Sequence, residues 1–420
     1  MANNLSSNTT RPLAKVFLEA FESSRVVTKT VNTQLLSGKF NPSTGSNVDF
    51  KRPHDYTTIR SSGGDISSAT KSDIIAGKAT GTVQDYLTAS TEWGNVQEAL
   101  ELDQLDQILA PMARRLVTDL ELDFGAFMRT NAALNYGNRG TAVDAWSDVA
   151  GAGAMLSSVG VPMSDDCCYL MNPFSTTALA SAQSGLNAAD GIVRTAWEKA
   201  QIASNFGGMR ALTSNALSSY TSGSTTDRAG TLNGAPNATY VAAKDTMQQT
   251  LVLAGLGTGT IKAGDQVTIA GVNRLNVSTR ELILGASGAA VLWTGTVLED
   301  VTIASNAATV VVSGAAIYEA NGQYNNVDAA PASGAVVTIL GAASTVYQPN
   351  MFYSKQAFGI GTVKLPKLYS TDTVATTSDG MSIRVSKYSD GDANTQKIRF
   401  DLLPAYACFN PLFAGQGYGV

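Results

Sequence analysis

A large apolar side chain recurs at every fourth position between residues 112 and 128 of this chain, and few structures other than a helix accommodate that spacing. The stripe consists of Met112, Leu116, Leu120, Phe124 and Met128. Residues four apart lie on one face of an α-helix, so we predict a single long helix with one buried face. Pro111 suits the first helical turn, where its missing N–H would have no partner, and we expect the long helix to begin near it. Arg115 and Asp119 should pair on the exposed side.

Two segments that precede this helix carry surface that they cannot bury alone. Residues 11–31 place Leu13, Val16, Phe17, Leu18 and Phe21 at spacings of three and four, which is typical of a short amphipathic helix. Residues 36–90 are rich in Gly, Ser and Thr and contain short alternating runs, which predicts a long two-stranded arm. An isolated hairpin is marginal in water, so we expect both segments to lie on a neighbouring molecule.

The sequence pattern of the region that follows the long helix changes twice. Residues 167–171 form an apolar run that predicts a strand, and Asn172-Pro173 predicts the N-cap and first residue of a helix over 174–183. Another helix is predicted over 191–203. Short apolar runs then predict a small β-sandwich or barrel, at residues 250–254, 266–270, 308–313 and 336–340. Because α/β-like sequence resumes at Val346, we interpret this β region as an inserted domain.

The composition favours a protein that assembles. A chain of 420 residues should divide into two or three compact units. Charged residues make up 15%, against about 25% in typical proteins. A surface so poor in charge indicates that much of the exterior lies against other subunits. The net charge of -5 and the lack of a polybasic tail argue against a protein that neutralises nucleic acid.

The cysteines and the amino terminus predict a protein that is made in a reducing cytoplasm and is not exported. Two of the three cysteines, Cys167 and Cys168, are adjacent, and this arrangement does not make a disulfide framework. The first residues contain no apolar run long enough for a signal peptide. Nowhere do about 18 uninterrupted apolar residues occur, so no membrane span is predicted.

The residue types that carry catalysis are scarce or badly spaced. The single histidine, His54, lies in the predicted arm, so neither a Ser-His-Asp nor a Cys-His site is expected. The cysteines do not match a metal-ligand spacing. Residues 255–259 (GLGTG) stand between strand-like runs and are predicted to be a turn rather than a dinucleotide loop. Residues 389–394 (SDGDAN) resemble a calcium loop but lack the downstream acidic ligand, so a hairpin turn is predicted. We therefore predict no catalytic residue, no cofactor and no metal site.

Five stretches resemble the major capsid proteins of the short-tailed Salmonella-type phages. These are residues 50–54 (FKRPH), 105–120 (LDQILAPMARRLVTDL), 193–212 (VRTAWEKAQIASNFGGMRAL), 262–267 (KAGDQV) and 388–411 (YSDGDANTQKIRFDLLPAYACFNP). They are spread from the arm to the carboxyl terminus, and together they are more specific than any one of them.

The resemblance implies an α+β protein with the Hong Kong 97-like phage capsid fold and an inserted small β-barrel. On that fold, residues 1–35 would be the N-terminal arm and 36–92 the E-loop hairpin. Residues 93–140, completed by 376–420, would form the spine helix and P-domain. Residues 141–222, completed by 346–375, would form the A-domain, and 223–345 the inserted I-domain.

The implied function is a major capsid protein in the virion, made in the host bacterial cytoplasm. Its partners would be copies of itself in hexamers and pentamers, a scaffolding protein and a portal during assembly, and double-stranded DNA that is enclosed without sequence-specific binding. One branch of the fold joins its subunits by a Lys-Asn isopeptide bond. No residues here match that branch, so we predict a non-covalent shell.

Eight residues are candidates for contacts between subunits. They are Phe17, Phe21, Phe50, Arg52, His54, Arg60, Lys244 and Asp245. The first six lie on the two segments expected to bind a neighbour. The last two form the turn that best matches the loop by which the family's I-domain contacts other capsomers.

Other functions remain open at this point. An encapsulin-like compartment would share the fold and enclose enzyme cargo in place of a genome. A β-rich adhesin or carbohydrate-binding protein is disfavoured because a signal peptide is lacking and a long amphipathic helix is present. A hydrolase based on two carboxylates is disfavoured because no carboxylate pair stands out.

Overall fold

The computed structural model describes residues 15, 17–36, 45–94, 105–163, 166–184, 191–369 and 372–420. The chain divides into two compact units, each made of several segments. Unit 1 comprises residues 1–48, 81–127 and 358–407, and unit 2 comprises residues 49–80, 128–357 and 408–420. Residues 17–24 are helical. The further helices are α1 (Leu105–Asn131), α2 (Trp146–Val159), α3 (Pro173–Ser184), α4 (Gly191–Lys199) and α5 (Tyr240–Ala243), with 3₁₀ turns at Val27–Lys29, Gln34–Leu36 and Pro411–Phe413.

The strands follow in chain order. The first twelve are β1 (Asn47–Lys51), β2 (Lys78–Val83), β3 (Leu87–Gly94), β4 (Leu134–Tyr136), β5 (Cys167–Met171), β6 (Asn205–Phe206), β7 (Met209–Thr213), β8 (Tyr220–Thr221), β9 (Ala229–Leu232), β10 (Gln248–Ala254), β11 (Gly259–Ile261) and β12 (Gln266–Asn273). The others are β13 (Leu292–Val297), β14 (Val301–Ile303), β15 (Ala307–Ser313), β16 (Val336–Ile339), β17 (Val346–Tyr347), β18 (Asn350–Ser354), β19 (Phe358–Thr362), β20 (Thr373–Thr376), β21 (Ser382–Asp390), β22 (Thr395–Leu402), β23 (Pro404–Cys408) and β24 (Ala414–Gly417).

The predicted long helix is present as α1, but Pro111 lies inside it and not at its start. The prediction for the start was therefore wrong. A proline costs an interior helix one hydrogen bond, which packing of an apolar face can outweigh. That face is buried as the spacing predicts, with Leu116, Leu120 and Phe124 almost fully enclosed.

Unit 1 contains an antiparallel sheet in the order β20-β21-β22-β3. Residues 391–394 form the turn between β21 and β22, within the stretch 389–394 for which the sequence predicts a hairpin turn. Asp390 accepts hydrogen bonds from the N–H groups of Asp392 and Ala393 in that turn. The buried ion pair of Arg384 and Asp401 joins β21 to β22, with Nη2 and Oδ2 2.6 Å apart.

Unit 2 contains a six-stranded mixed sheet in the order β4-β24-β18-β5-β7-β6. Strand β5 has the predicted bounds. The side-chain oxygen of Asn172 accepts from the N–H of Ser175 at 2.7 Å, so Asn172 is the predicted N-cap of α3. Helix α4 ends at Lys199, earlier than predicted, and Ala200 then has a φ of 50°.

The inserted β region of unit 2 is a closed six-stranded barrel in the order β10-β15-β13-β12-β16-β9. All four predicted apolar runs fall on its strands. Each strand sends alternate side chains into one apolar interior that includes Leu251, Trp293 and Val310. Residues 255–258 connect β10 to β11, within the stretch 255–259 that the sequence predicts to be a turn.

Polar side chains in and beside the barrel bind the carbonyl groups at the end of α1 and just after it. Ser313 donates to the carbonyl of Asn131 at 2.9 Å, and Thr296 donates to that of Ala132. The fully buried Arg274 donates to the carbonyl of Ala133 at 2.9 Å. The last carbonyls of a helix have no partner within it, so the barrel supplies hydrogen bonds that this end of α1 needs.

Within the described residues, no helix is long and apolar enough to cross a membrane.

Candidate assembly surfaces

The amino-terminal segment buries its apolar face within its own unit. The side chains of Phe17 and Phe21 are fully enclosed, and the ring of Phe17 stacks on that of Phe400 with centroids 3.9 Å apart. This corrects the expectation that the chain cannot bury these two residues itself. The physical reason is that β22 supplies an aromatic partner from a distant part of the sequence.

A buried carboxylate fastens the end of the same segment. Glu121 of α1 accepts hydrogen bonds from the N–H groups of Val26 and Val27, at 2.5 and 2.8 Å. Burial raises the pKa of the Glu121 carboxyl from its ordinary value, although these donors oppose the shift. Phe17, Phe21, Val27 and Thr28 are therefore part of the core of unit 1.

Phe17→Leu is expected to destabilise the unassembled subunit by about 1 kcal/mol, because the aromatic pair with Phe400 is lost while most of the apolar volume remains. Urea unfolding of the subunit measures the loss. The control is Phe174→Leu, since Phe174 is 86% exposed and its replacement should leave the midpoint unchanged. A Phe17 variant with normal stability but defective shells would show that Phe17 contacts a neighbour instead.

The base of the arm is a compact junction in unit 2. The N–H of Arg52 donates to the carbonyl of Gly77 at 2.9 Å, which closes the two sides of the arm. The Arg52 guanidinium donates to the carbonyls of Lys78, at 3.0 Å, and of Phe409. The ring of Phe50 meets that of Phe409 edge-on, with centroids 5.2 Å apart. Phe50 and Arg52 are thus engaged by their own chain.

The turn at Lys244 and Asp245 packs against this junction. A Cβ atom on Gly77 would lie 2.7 Å from the carbonyl oxygen of Lys244, so only glycine fits there. Lys244 and Asp245 pair with each other at 2.8 Å, and this hydrogen bond holds the pKa of Asp245 below its ordinary value. The structure therefore brings four candidates together, namely Phe50, Arg52, Lys244 and Asp245, at the place where the arm leaves unit 2.

The arm beyond its base has no regular strands. Residues 52–77, which lie between β1 and β2, form turns and irregular chain. The sequence had predicted a two-stranded arm. Glycine and serine cluster at residues 61–64, where they favour turns over a ladder of strand hydrogen bonds. Polar contacts fix the lower half of the arm instead. Asp55 pairs with Arg280, and Gln323 donates to the carbonyl of Asp73 at 2.6 Å.

The upper half of the arm begins where Thr57 and Ser72 meet, with their hydroxyl oxygens 2.9 Å apart. Residues 58–71 are exposed, apart from one half-buried position, and this segment includes the candidate Arg60. The candidate His54 is exposed as well.

Four apolar side chains of the arm face solvent, and none of them is among the eight contact candidates predicted from the sequence. They are Tyr56, Ile59, Ile66 and Ile74, and the last is 74% exposed. The signal that could have found them is the presence of isoleucines in an otherwise polar segment that lacks a core.

The described residues offer little for catalysis. They contain no group of three His, Cys, Asp or Glu side chains that could hold a metal ion. Burial raises the pKa of the Cys408 thiol to about 12, so the reactive thiolate is not formed at neutral pH. A cavity of about 210 Å³ in unit 2 is lined by polar amides and apolar groups around Asn172, Phe174 and Gln348, with no Lys, Arg, His, Cys or carboxylate among them.

Comparison with known proteins agrees with an assembling protein. A family model described as P22 coat protein, gene protein 5, matches residues 1–419. A major capsid protein of Acyrthosiphon pisum secondary endosymbiont phage 1 is 47% identical over 424 residues, which cover 100% of both chains.

Two solved structures are similar at low identity. That of Mycobacterium phage Che8 is 11% identical with a TM-score of 0.48, over 93% of this chain and 90% of that one. The capsid of cyanophage P-SCSP1u is 13% identical with a TM-score of 0.43, over 90% and 84%. The family assignment rests on the sequence matches.

Proposed function

This chain belongs to the P22 coat protein family, and we propose that copies of it form a closed, non-covalent icosahedral shell around the double-stranded DNA of a tailed phage. It is a phage major capsid protein, a structural component of the virion and not an enzyme. The 47% identity to a phage capsid protein does not favour an encapsulin-like compartment.

The single observation that carries the self-assembly is the exposed arm. Its base is fixed by Arg52 and by the Asp55–Arg280 pair, while Tyr56 and Ile74 expose more than half of their surface. The arm is fixed at its base but exposed beyond it, and its apolar side chains indicate that this surface becomes buried when subunits assemble. A shell gains its strength by summing many such contacts, each of them modest.

The roles of the segments are part of the proposal. Residues 36–92 would act as the E-loop that reaches a neighbouring subunit, and residues 223–345 as the inserted I-domain. Residues 93–140 with 376–420 would form the P-domain, residues 141–222 with 346–375 the A-domain, and residues 1–35 the N-terminal arm. The closed barrel over β9–β16 supports the second of these roles.

Among the eight proposed contact residues, the exposed His54 and Arg60 are the best placed to meet a neighbour directly. Phe50, Arg52, Lys244 and Asp245 would act by fixing the arm's base. Phe17 and Phe21 would act through the stability of unit 1.

The charge of the chain suits a wall that encloses DNA without condensing it. A net charge of -5 does not neutralise phosphates, so the genome would have to be driven in by a motor through a portal. A scaffolding protein is the further proposed partner, as membership of the coat-protein family implies.

The test is to express the full-length chain in bacteria with and without the scaffolding protein of the same phage. Electron microscopy should show closed particles of uniform size in the first case. Particles boiled in detergent should run as one band near 43.7 kDa, because no covalent bond joins the subunits. Amorphous aggregates or only monomers in both cases would contradict the shell, and a ladder of covalent multimers would contradict its non-covalent nature.

A further inference from the structure

A short hairpin beside the barrel carries apolar side chains on both of its faces. Residues 283–285 pair with residues 289–291, with Leu284 opposite Ala290. The N–H of Val291 donates to the carbonyl of Ile283 at 3.0 Å. Beyond this point, Leu282 pairs with Leu275 and Leu292 pairs with Asn273. The strands turn through an exposed tip of small residues at 285–289.

The inner face of this hairpin belongs to the core of unit 2. Ile283 is buried, and Val291 packs against the same cluster. Successive residues of a strand point to opposite faces, so this packing determines which side chains point outward.

The outer face is formed by Leu282, Leu284, Ala290 and Leu292. The three leucines are 41%, 57% and 43% exposed. No charged residue occurs between Leu282 and Leu292 in the sequence. A strand with one solvated face normally carries polar residues there, so two apolar faces indicate that the outer one becomes buried as well.

On the basis of the proposed shell function, we propose that the outer face of the 281–292 hairpin docks on a second copy of this chain in the shell. The patch has only four side chains, far below the roughly 800 Å² per partner of an independent complex. Its occupant must therefore be held in place by other contacts, as neighbouring subunits in a shell are.

The position of the hairpin also favours a second copy. Arg280, two residues before Leu282, pairs with Asp55 of the arm. The patch is thus continuous with the base of the segment proposed to bind a neighbour. An uncharged apolar surface suits an apolar protein surface and does not suit DNA, which is bound through cationic side chains.

The matched control is Val336 on β16, an aliphatic side chain of the barrel that is 46% exposed. The next residue on the same face of β16, Thr338, is also exposed and is polar. Leu284→Cys and Val336→Cys are treated with a thiol reagent as free subunits and as purified particles, with the unsubstituted chain as background. The thiol introduced by Leu284→Cys should react at least ten-fold more slowly in particles, whereas the thiol introduced by Val336→Cys should react equally in both states. Equal reactivity of the Leu284→Cys variant in both states would overturn the proposal.

The occupant is identified by attaching a photo-crosslinker to the thiol of the Leu284→Cys variant within particles and mapping the joined peptides. A product that joins two copies of this chain is expected. A product confined to one copy, or one formed with a different protein, would overturn the proposal.

Energetics provide a second measurement. The triple variant Leu282→Ser, Leu284→Ser, Leu292→Thr should raise the subunit concentration needed for shell formation about ten-fold, which corresponds to about 1.4 kcal/mol per subunit. Its urea midpoint as a free subunit should match that of Val336→Thr. An unchanged assembly threshold would overturn the docking role. Failure of the unsubstituted chain to form particles would count against the proposed function instead.

Discussion

A subunit whose arm is shortened to the meeting point of Thr57 and Ser72 is expected to fold normally and to form no shells. In this variant, residues 58–71 are replaced by two glycines. The two hydroxyl oxygens lie 2.9 Å apart, so a short turn can join these residues without moving the lower arm. The Asp55–Arg280 pair and the contact of Asp73 with Gln323 remain.

The physical reason is that the removed segment is almost wholly exposed and contributes little to the subunit. In the proposed shell, the same segment would carry Ile59 and Ile66 to a neighbouring subunit. The urea midpoint of the shortened subunit should equal that of the parent chain, and the number of particles seen by electron microscopy should fall to background. As a control, four Gly and Ser residues inserted at the tip, beside Gly63 and Gly64, should leave shells intact. Shells of normal yield from the shortened chain would refute the exchange of arms.

Removal of the buried charge at Asp401 is expected to cost the subunit about 3–5 kcal/mol of stability, because Arg384 is then left buried without a counter-charge. Asp401 accepts hydrogen bonds from Arg384 and Arg399, each at 2.6 Å, and from Thr88 at 2.7 Å. The side chains of Arg384 and Asp401 are 5% and 0% exposed. Urea unfolding of Asp401→Asn measures the loss.

Two comparisons isolate the cause. Asp119→Asn breaks the exposed pair with Arg115 on α1 and should cost less than about 0.5 kcal/mol. The double variant Arg384→Met, Asp401→Leu should be more stable than Asp401→Asn, since the buried charge of Arg384 is removed as well. Arg399 also loses its partner in this variant, but its side chain is 37% exposed and stays hydrated. A double variant as unstable as the single one would show that shape, and not charge, sets the loss.

The ion pair of Arg384 and Asp401 also makes the stability of the subunit depend on pH. Burial by itself would raise the pKa of Asp401, but the hydrogen bonds from Arg384, Arg399 and Thr88 outweigh it and hold the pKa below the ordinary value of 3.8. A carboxylate with a lowered folded-state pKa stabilises the fold above the unfolded-state pKa and loses this effect as the pH falls through the folded value. The stability gap between the parent chain and Asp401→Asn should therefore be constant near neutral pH and narrow below about pH 4.

Local signals predicted much of the secondary structure because they act between residues close in sequence. The four-residue spacing from Met112 to Met128 sets one face of α1, whichever partner covers it. Asn172 and Pro173 predicted the start of α3 because a cap needs only the next helical turn. Alternation and turn residues located the barrel strands because both signals lie within a strand or at its ends. They did not predict which strands pair, since partners such as β10 and β15 are far apart in the sequence.

Burial and contact between distant segments could not be predicted in this way. The sequence predicts that Phe17 lies on an apolar face without a partner in its own chain, because its stacking partner, Phe400, lies far away in the sequence. Pro111 looked like a helix start because local chemistry favours it there, yet packing of the helix face outweighs one lost hydrogen bond. The resemblance to phage coat proteins supplied the family, but it did not show which candidate contacts their own chain already engages.

The long helix, the inserted β-domain, the scarcity of catalytic groups and the coat-protein family are predictable from residue types and short spacings. Which apolar surfaces stay open is known only once the chain is folded. The tertiary structure buries Phe17 and Phe21, engages Phe50 and Arg52 at the base of the arm, and leaves Ile74 and Leu284 exposed. The physical reason is that exposure depends on every segment that can fold back over a side chain, and those segments meet only in three dimensions.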